Sequence, residues 1–561
     1  MASSSPARLA MRAGGPSFAF RRSAPRFGLL LATAVVANLF NAGVARCEVV
    51  TATWLFGDGS WNGAVSPSHW STPFYPDNGT PAGTEYIVVI ADDPDFSSSV
   101  TLDITATIDK LTVNSGDTLG LVTDGGGTGT LFVKISPGTP TITNSGLITI
   151  GGGSKLLFDG TGVPGTPMGT LTGGGMVILS GGGIGGTTSP GTETLTTDNT
   201  IMGFGAVGAK NLINHGSISA SMPMAELGVG SAATGTVKNV GVSDPALPGV
   251  RKAGSGSLTA IGGGILKLPS GTFDNTDPMF PGTISAMGGS KVNLGTVGGL
   301  TTHIIGGELS TDFDPESKFV NTWIVTLDGV TLYSPSFTPP PGITYATFTQ
   351  DDGKITNLRG AITNDGVINV SSSGIAGASL LVLDSGDVTL GGTGSITLNG
   401  TATADPFNPN FVKIQGKTTA RLTIGADQTI IGSGQFGDHA TVVSPKLTNH
   451  GTITAVTSPT LLVGPPQGIA IFPLILGAPP PLDALINDGT MQAMDNAFLT
   501  FNNGIVTNSG PSGPGTIIAH GHSMPSTLNF QEGVTVNGGL VTLDGFFSQI
   551  NLNNGTIHGG T

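Results

Sequence analysis

The chain has 561 residues, of which 38% are hydrophobic, 10% are charged and 90 are glycine. A chain this apolar and this weakly charged does not belong to the disordered class, and its length is ample for a large core. The formal net charge is −14, and beyond the six arginines of residues 1–47 only 16 basic residues face 36 acidic ones. This balance excludes the basic surface that binding to nucleic acid requires.

Residues 1–47 predict a secretory signal peptide. Three arginines, at positions 21, 22 and 26, precede the apolar run 27–40. A membrane span takes about 20 residues, so this run is too short to cross a bilayer and no transmembrane span is expected in the mature chain. Cleavage is expected after Ala45 or Cys47, and lipidation of Cys47, the only cysteine, is the alternative. The signal predicts a secreted or cell-surface protein.

Residues 48–110 predict an N-terminal cap rich in tryptophan. Trp54, Trp61 and Trp70 are three of the four tryptophans in the sequence. A repeat array needs a terminal unit that covers the open end of its core, and indole rings bury a large apolar area. The alternative is an aromatic platform for sugars, which makes the same three tryptophans candidate glycan contacts.

Acidic residues cluster near the end of the cap, at Asp92, Asp93 and Asp95, with Asp103 and Asp109 beyond them. Because Ca²⁺ takes six to eight oxygen ligands, a Ca²⁺ site is one interpretation of this cluster. No EF-hand spacing and no recurring Gly-Gly-x-Gly-x-Asp series accompanies it, which favours a solvated acidic turn. No other cofactor or metal is expected.

Residues 111–561 predict an array of short strands separated by a recurring Asn-x-Gly bend. Asn and Gly tolerate positive φ, so each copy predicts a turn between two strands. If the copies stack, their Asn side chains can form hydrogen-bond ladders. The predicted structural positions are Asn144 and Gly146, Asn214 and Gly216, Asn364 and Gly366, Asn449 and Gly451, Asn487 and Gly489, and Asn553 and Gly555.

A longer duplication lies within this array. Residues 140–220 and 360–456 predict two copies of one block, because each contains an Asp-x-Thr-Ile segment followed by Asn-His-Gly. The fold class expected from these patterns is all-β, a parallel β-helix or β-solenoid. With coils of roughly 22 residues, about 20 to 23 coils would stack one strand spacing, about 4.8 Å, apart. The proline-rich segments 335–341 and 465–481 are expected to be loops outside the array.

With its Trp-rich N-terminal segment, its Asn-x-Gly-x-Ile bends and its glycine-rich strands of Thr and Val, the chain resembles a known group. These are the secreted, autotransporter-passenger-like parallel β-helix proteins of planctomycetes and related bacteria. The resemblance covers most of residues 50–561. It implies a β-helix exported to the medium or the cell surface, and it implies no particular ligand.

Polysaccharide lyases and hydrolases also use the parallel β-helix, so their sequence elements are the relevant test of catalysis. Asn275-Thr276-Asp277 matches one short element of the polygalacturonase family, and His520-Gly521-His522 is similar to another. The Arg-x-Lys element that should follow is missing, because no Lys or Arg follows His522. No catalytic residue is therefore predicted.

The function expected from the sequence is that of a secreted or surface structural and adhesive protein. Its expected partners are extracellular polysaccharide or components of the cell surface. The alternative is a polysaccharide-active or glycan-binding protein on the same scaffold.

Overall fold

The structure, a computed structural model, describes residues 48–559 with short gaps, and apart from Glu48 these belong to one compact unit, Val49–Thr561. Outside the description lie residues 1–47, 56, 64–68, 91–96, 124–127, 135–140, 160–166, 187–193, 231–234, 297, 299, 334–346, 374–376, 401–411, 417–418, 438–444, 457–466, 472–483, 503 and 560–561. The predicted signal peptide, Asp92, Asp93, Asp95 and the predicted loop 335–341 therefore lie outside the described residues.

The described chain is a parallel β-helix in which three sheets receive successive strands of each coil. Ser257–Ala260 pairs in parallel with Thr283–Ala286 of the next coil, which pairs in the same way with Glu308–Thr311. These strands begin 26 and 25 residues apart in the sequence, close to the predicted coil length. Fifty strands form this continuous parallel system, and the described ranges contain no helix. The predicted all-β parallel β-helix is confirmed.

The strands of each sheet follow one another along the stack. Sheet 1 contains Glu48–Trp54, Thr84–Ile90, Lys110–Val113, Thr141–Asn144, Pro167–Thr172, Thr194–Thr197, Asn211–Asn214, Thr236–Asn239, Gly271–Asp274, Thr302–Ile305, Ile324–Asp328, the first parts of Ile355–Asn364 and Ser379–Gly391, Val412–Gly416, the last part of Thr429–Phe436, Gln467–Ile471, Ala497–Asn502, Ser526–Gln531 and Ser548–Asn553.

Sheet 2 contains Gly59–Ser60, Ser99–Leu102, Thr118–Leu121, Leu147–Gly151, the first parts of Met176–Gly186 and Thr200–Val207, Ser217–Ala220, Ser257–Ala260, Thr283–Ala286, Glu308–Thr311, Thr331–Tyr333, the last parts of Ile355–Asn364 and Ser379–Gly391, Arg421–Ile424, Lys446–Asn449, Leu485–Asn487, Ile505–Thr507, Thr535–Asn537 and Thr556–His558.

Sheet 3 contains Thr105–Ile108, Thr130–Lys134, Lys155–Asp159, the last parts of Met176–Gly186 and Thr200–Val207, Glu226–Val229, Ile265–Leu268, Lys291–Leu294, Lys318–Asn321, Phe348–Gln350, Val367–Ser372, Ser395–Gly400, the first part of Thr429–Phe436, Thr452–Ala455, Thr490–Ala493, Thr516–His520 and Leu540–Asp544. Two antiparallel hairpins stand outside the three sheets: Ser243–Asp244 with Leu247–Arg251, and Ser509–Gly510 with Gly513–Pro514.

The core is built from columns of inward-facing apolar side chains, one residue from each coil. In sheet 2, Leu258, Ile284 and Leu309 occupy one column, and all three are fully buried. Aromatic residues stack in the same way, since the rings of Phe501 and Phe530 lie 5.2 Å apart with planes inclined by 5°. One coil alone cannot bury such residues, so each coil depends on its neighbours for its stability.

Close approach of the backbone accounts for the glycines of the predicted bends. A Cβ added at Gly216 would lie 2.1 Å from the carbonyl oxygen of Asn199, and one at Gly489 would lie 2.2 Å from that of Gly451. None of the six predicted bend glycines has positive φ, so the reason given for them from the sequence is wrong. The other four would also bring a Cβ within 3.0 Å of a neighbouring atom: Gly146, Gly366, Gly451 and Gly555.

Buried asparagines form hydrogen bonds from coil to coil at the corner that follows sheet 1. Asn214 Nδ2 donates to Asn239 Oδ1 at 2.8 Å, and Asn239 Nδ2 donates to Asn275 Oδ1 at 3.1 Å. Nearer the N-terminus, Asn144 Nδ2 donates to Asn199 Oδ1 at 2.7 Å. All five side chains are fully buried. Each amide supplies a partner to the next, which offsets the cost of burying polar groups.

A second ladder of amides lies at a different corner, the one that follows sheet 2. Asn449 Nδ2 donates to Asn487 Oδ1 at 2.7 Å, and Asn487 Nδ2 donates to Asn508 Oδ1 at the same distance. Earlier in the chain, Asn364 Nδ2 donates to Gln428 Oε1 at 3.2 Å. The Asn-x-Gly motif therefore lies at the corner after sheet 1 in block 140–220 and at the corner after sheet 2 in block 360–456, although the sequence predicts that these blocks are duplicates.

Asn553 differs from the other predicted bend asparagines. It ends Ser548–Asn553 at the corner after sheet 1 and is exposed, so it occupies no buried ladder. The following residue, Asn554, has φ of 58°, and this bend is therefore of the positive-φ kind expected from the sequence.

The described part of segment 465–481, residues 467–471, is not a loop. Gln467–Ile471 is a strand of sheet 1 that pairs in parallel with Thr429–Phe436 on one side and with Ala497–Asn502 on the other. Ile469 and Ile471 are buried in the core. The prolines that suggested a loop lie outside this strand, so they do not interrupt its hydrogen bonds.

Replacing Asn487 with Ala tests the second ladder. The substitution removes the donor to the buried Oδ1 of Asn508 and the nearest acceptor of Asn449 Nδ2, which keeps its bonds to the carbonyls of Gly451 and Thr490. An unpaired buried group costs about 1–3 kcal/mol. We expect a lower midpoint of urea unfolding and faster hydrogen exchange in the strands next to position 487, because stability in coil stacks is local. The exposed Asn553→Ala should change stability by less than about 0.5 kcal/mol. Equal effects of the two substitutions would contradict the role of the ladder.

Candidate functional site

The three predicted tryptophans come together at the N-terminal end of the array. The rings of Trp54 and Trp70 lie 4.9 Å apart and nearly perpendicular, and those of Trp61 and Trp70 lie 5.0 Å apart. Trp54 and Trp61 are fully buried and Trp70 is 5% exposed. Each indole N–H donates to a backbone carbonyl: Trp54 to Gly57, Trp61 to Pro76 and Trp70 to Trp61. No indole donor of this cluster is left for a ligand.

The segment 69–71 lies antiparallel beside the first strand of sheet 1. The Leu55 amide donates to the His69 carbonyl at 2.7 Å, and the Ser71 amide donates to the Thr53 carbonyl at 2.8 Å. The imidazole of His69 stacks on Trp54 at 4.9 Å. The segment covers the strand edge at residues 53–55, which favours the predicted cap over an open aromatic platform.

A pocket of about 260 Å³ remains beside the tryptophan cluster. Its walls include Asn62, His69, Phe74 and Tyr75 as well as the edges of the tryptophans. Phe74 is 50% exposed, so it is the aromatic side chain at the pocket that offers most surface to a solute. If a sugar binds at this end of the molecule, we expect Phe74 and Tyr75 to contact it rather than the buried indoles.

Trp61→Ala separates the two interpretations of the cluster. Removal of a buried Trp side chain costs about 3–5 kcal/mol, so we expect this variant to lose protease resistance at the N-terminal coils and to unfold at a lower temperature. Phe74→Ala, in the same pocket but half exposed, serves as the matched control and should have a much smaller effect on stability. A stable Trp61→Ala protein would show that the cluster does not support the end of the core.

Asp103 and Asp109, the described members of the predicted acidic cluster, have structural partners. Asp109 is 4% exposed and accepts a hydrogen bond from Asn78 Nδ2 at 2.7 Å, and Ser60 Oγ donates to Asp103 at 3.4 Å. Burial raises the pKa of the Asp109 carboxyl, and the nearby charge of Glu85 acts in the same direction, while the bond from Asn78 opposes them. Asp92, Asp93 and Asp95 lie outside the described residues, so the Ca²⁺ interpretation stays a prediction.

Asp109→Asn should change how stability depends on pH. The folded state binds the Asp109 proton more tightly than the unfolded state does, so the free energy of unfolding falls as pH rises from about 4 through the raised pKa. The Asn side chain stays neutral and its Oδ1 can still accept from Asn78. We therefore expect the variant to be at least as stable as the wild type at pH 7, measured by urea unfolding at pH 4 and 7. Asp103→Asn is the control, and a variant less stable at pH 7 would contradict the expectation.

The two elements similar to those of polygalacturonases do not meet. Asn275 belongs to the first buried ladder, and Asp277 caps a loop by accepting the amides of Met279 and Phe280, which lowers the pKa of its carboxyl. His520 ends a strand of sheet 3, many coils away and at another corner. The polygalacturonase arrangement is therefore not assembled among the described residues.

His520 and His522 lie instead beside Asp544 of the next coil. Asp544 Oδ2 is 2.8 Å from His520 Nδ1 and 3.2 Å from His522 Nε2. Hydrogen bonding from His520, with a smaller contribution from His522, holds the pKa of the Asp544 carboxyl below its usual range. Sequence reasoning singled out the two histidines and missed Asp544. The available signal was an Asp one coil length later, at the end of the strand that pairs with Thr516–His520.

Comparison of the chain with protein-family models, with curated proteins and with solved structures gave no match. No helix in the described ranges has the length and hydropathy needed to cross a membrane.

Proposed function

We propose that this chain is an exported structural protein that acts by contact with extracellular polysaccharide or with components of the cell surface. The observation that carries the proposal is the chemistry of the outward-facing columns. On sheet 1, Asn551 Nδ2 donates to Asn529 Oδ1 at 2.9 Å, and Asn529 Nδ2 donates to Thr500 Oγ1 at 3.1 Å. Buried Leu528 and Phe530 flank Asn529, so this column lies on the outer side of the sheet. Thr500 is only 2% exposed, so Asn529 and Asn551 are the members of the column that a partner can reach.

Similar pairs of neutral polar groups occur on sheet 3. Asn399 Nδ2 donates to Asn369 Oδ1, and Gln492 Nε2 donates to Thr454 Oγ1 at 2.9 Å, where Thr454 itself is buried. Amides and hydroxyls repeated at one strand spacing present rows of uncharged donors and acceptors. Such rows suit a neutral, hydroxyl-rich partner such as a polysaccharide, and the low charge of the chain suits such a partner as well.

The alternative is a polysaccharide-active or glycan-binding protein. The observation that favours it is the aromatic pocket beside the tryptophan cluster, with Phe74 half exposed at its wall. A catalytic role would require carboxylates that converge on one bound substrate. The described carboxylates at Asp277, Asp495 and Asp544 instead hold the amides and side chains of loops and adjacent coils.

The test combines export with retention on polysaccharides. The full chain should reach the envelope or the medium of a bacterial host, whereas a chain beginning at residue 48 should stay in the cytoplasm. The recovered protein should be retained on at least one insoluble polysaccharide without producing new chain ends, with or without Ca²⁺.

Three outcomes distinguish the adhesive proposal from its alternatives. Full-length protein confined to the cytoplasm would contradict export. New chain ends would replace the adhesive proposal with an enzymatic one. Retention that is lost in Phe74→Ala would place the contact at the pocket rather than along the outward columns.

A further inference from the structure

Histidine–aspartate pairs that join adjacent coils recur in this molecule. His303 Nε2 lies 3.2 Å from Asp328 Oδ2, His450 Nδ1 contacts Asp488 Oδ1, and His520 Nδ1 lies 2.8 Å from Asp544 Oδ2. A single pair of this kind can link two adjacent strands by itself, without any bound ion. Only at Asp544, among the described residues, do two imidazoles and a carboxylate gather, with their ligand atoms all within 4.8 Å of one another.

The backbone holds the segment 520–522 firmly against the next coil. The Gly521 amide donates to the Asp544 carbonyl and to Ser548 Oγ, each at 2.8 Å, and the Phe547 amide donates to the Gly521 carbonyl at 2.9 Å. A Cβ at position 521 would lie 2.6 Å from the backbone of Phe547, so only glycine permits this approach. The main chain therefore fixes the Cα positions of His520, His522 and Asp544.

A carboxylate from the preceding coil holds the other side of the same segment. Asp495 accepts the amide of His522 at 2.6 Å and the hydroxyl of Ser523 at 2.5 Å. Hydrogen bonding from Ser523, with the backbone amides, holds the pKa of the Asp495 carboxyl below its usual range. Asp495 is therefore already engaged, and it orients the loop that carries His522.

The donor set has the chemistry of a transition-metal site. Two imidazole nitrogens and one carboxylate oxygen suit Zn²⁺ and related divalent ions, whereas Ca²⁺ takes six to eight oxygens. Zn–N bonds of about 2.0–2.1 Å place two ligand atoms of one tetrahedral ion roughly 3.3 Å apart, which the present separations accommodate with small side-chain movements.

Charge and access favour the same conclusion. No Lys or Arg follows His522 in the sequence, so no cation from that part of the chain competes for Asp544. The side chains of His522 and Asp544 are 61% and 50% exposed, which leaves an open path for an ion. With three protein ligands, a fourth position remains for water or for a group of another molecule.

We propose that His520, His522 and Asp544 bind one divalent transition-metal ion of the Zn²⁺ class, which clamps Leu540–Asp544 to Thr516–His520. Among the described strands, Leu540–Asp544 has a parallel partner on one side only. A metal bridge would add a side-chain link to the backbone hydrogen bonds that join these two strands. This role is independent of any contact with polysaccharide.

Binding is tested on the full chain, without a histidine tag, by titration calorimetry with ZnCl₂. We expect one Zn²⁺ per chain, no comparable binding of CaCl₂, and affinity at least about tenfold weaker in both His522→Ala and Asp544→Asn. His303→Ala removes a histidine from a simple inter-coil pair and is the matched control, with affinity unchanged. Co²⁺ in place of Zn²⁺ should give the visible absorption of a tetrahedral ion in the wild type and lose it in His522→Ala.

The clamp has a separate readout in hydrogen exchange. Zn²⁺ should slow exchange of the amides of residues 540–544 in the wild type and leave it unchanged in His522→Ala, which lacks a ligand but keeps the His520–Asp544 pair. No stoichiometric binding, or Zn²⁺ affinity that survives in His522→Ala, would overturn the site. Specific binding without slower exchange at 540–544 would overturn the clamp.

Discussion

Parallel stacking of coils imposes one condition on every residue of this molecule. The same position in two successive coils lies one strand spacing, about 4.8 Å, away, so a side chain has its counterparts above and below as its nearest companions. For apolar residues this produces columns such as Leu258, Ile284 and Leu309. For a buried amide the counterpart must supply the hydrogen bond, as Asn239 does for Asn214. Amides that occur in series at a corner can therefore satisfy one another where they are buried.

The same condition favours the low charge of the chain. Like charges at equivalent positions would stand within about 5 Å of each other, which is unfavourable. Several charged side chains instead face an opposite charge one coil away, as Lys267 faces Glu226 at 3.2 Å and Arg359 faces Asp384. Uncharged amides and hydroxyls can repeat without this cost. Two like-charged pairs nevertheless stand in register, Lys291 with Lys318 and Arg421 with Lys446, so the spacing favours a low charge without excluding such pairs.

The architecture was predictable because period-2 alternation and short bends are local signals, and each coil repeats them. The corner that a bend occupies was not predictable from the sequence. Asn214 and Asn449 stand in the same local sequence, but they lie at the corners after sheet 1 and after sheet 2, respectively. Strand pairing over tens of residues decides this, and no local pattern records it. The role of the bend glycines was also misassigned, because crowding from the preceding coil is invisible in a sequence window.

The same holds for the candidate sites: some of their features are visible in the local sequence, and others depend on how the coils pair. The tryptophans could be chosen from the sequence, but their burial depends on how residues 69–71 fold back on the first strand. His520 and His522 could be seen as a pair, but Asp544 joins them only through the register of two strands. In a β-helix, side chains that are distant in sequence converge when they differ by one coil length. Candidate binding sites on such a scaffold are therefore identified by comparing equivalent positions of adjacent coils. They occur where a third functional group joins an existing pair.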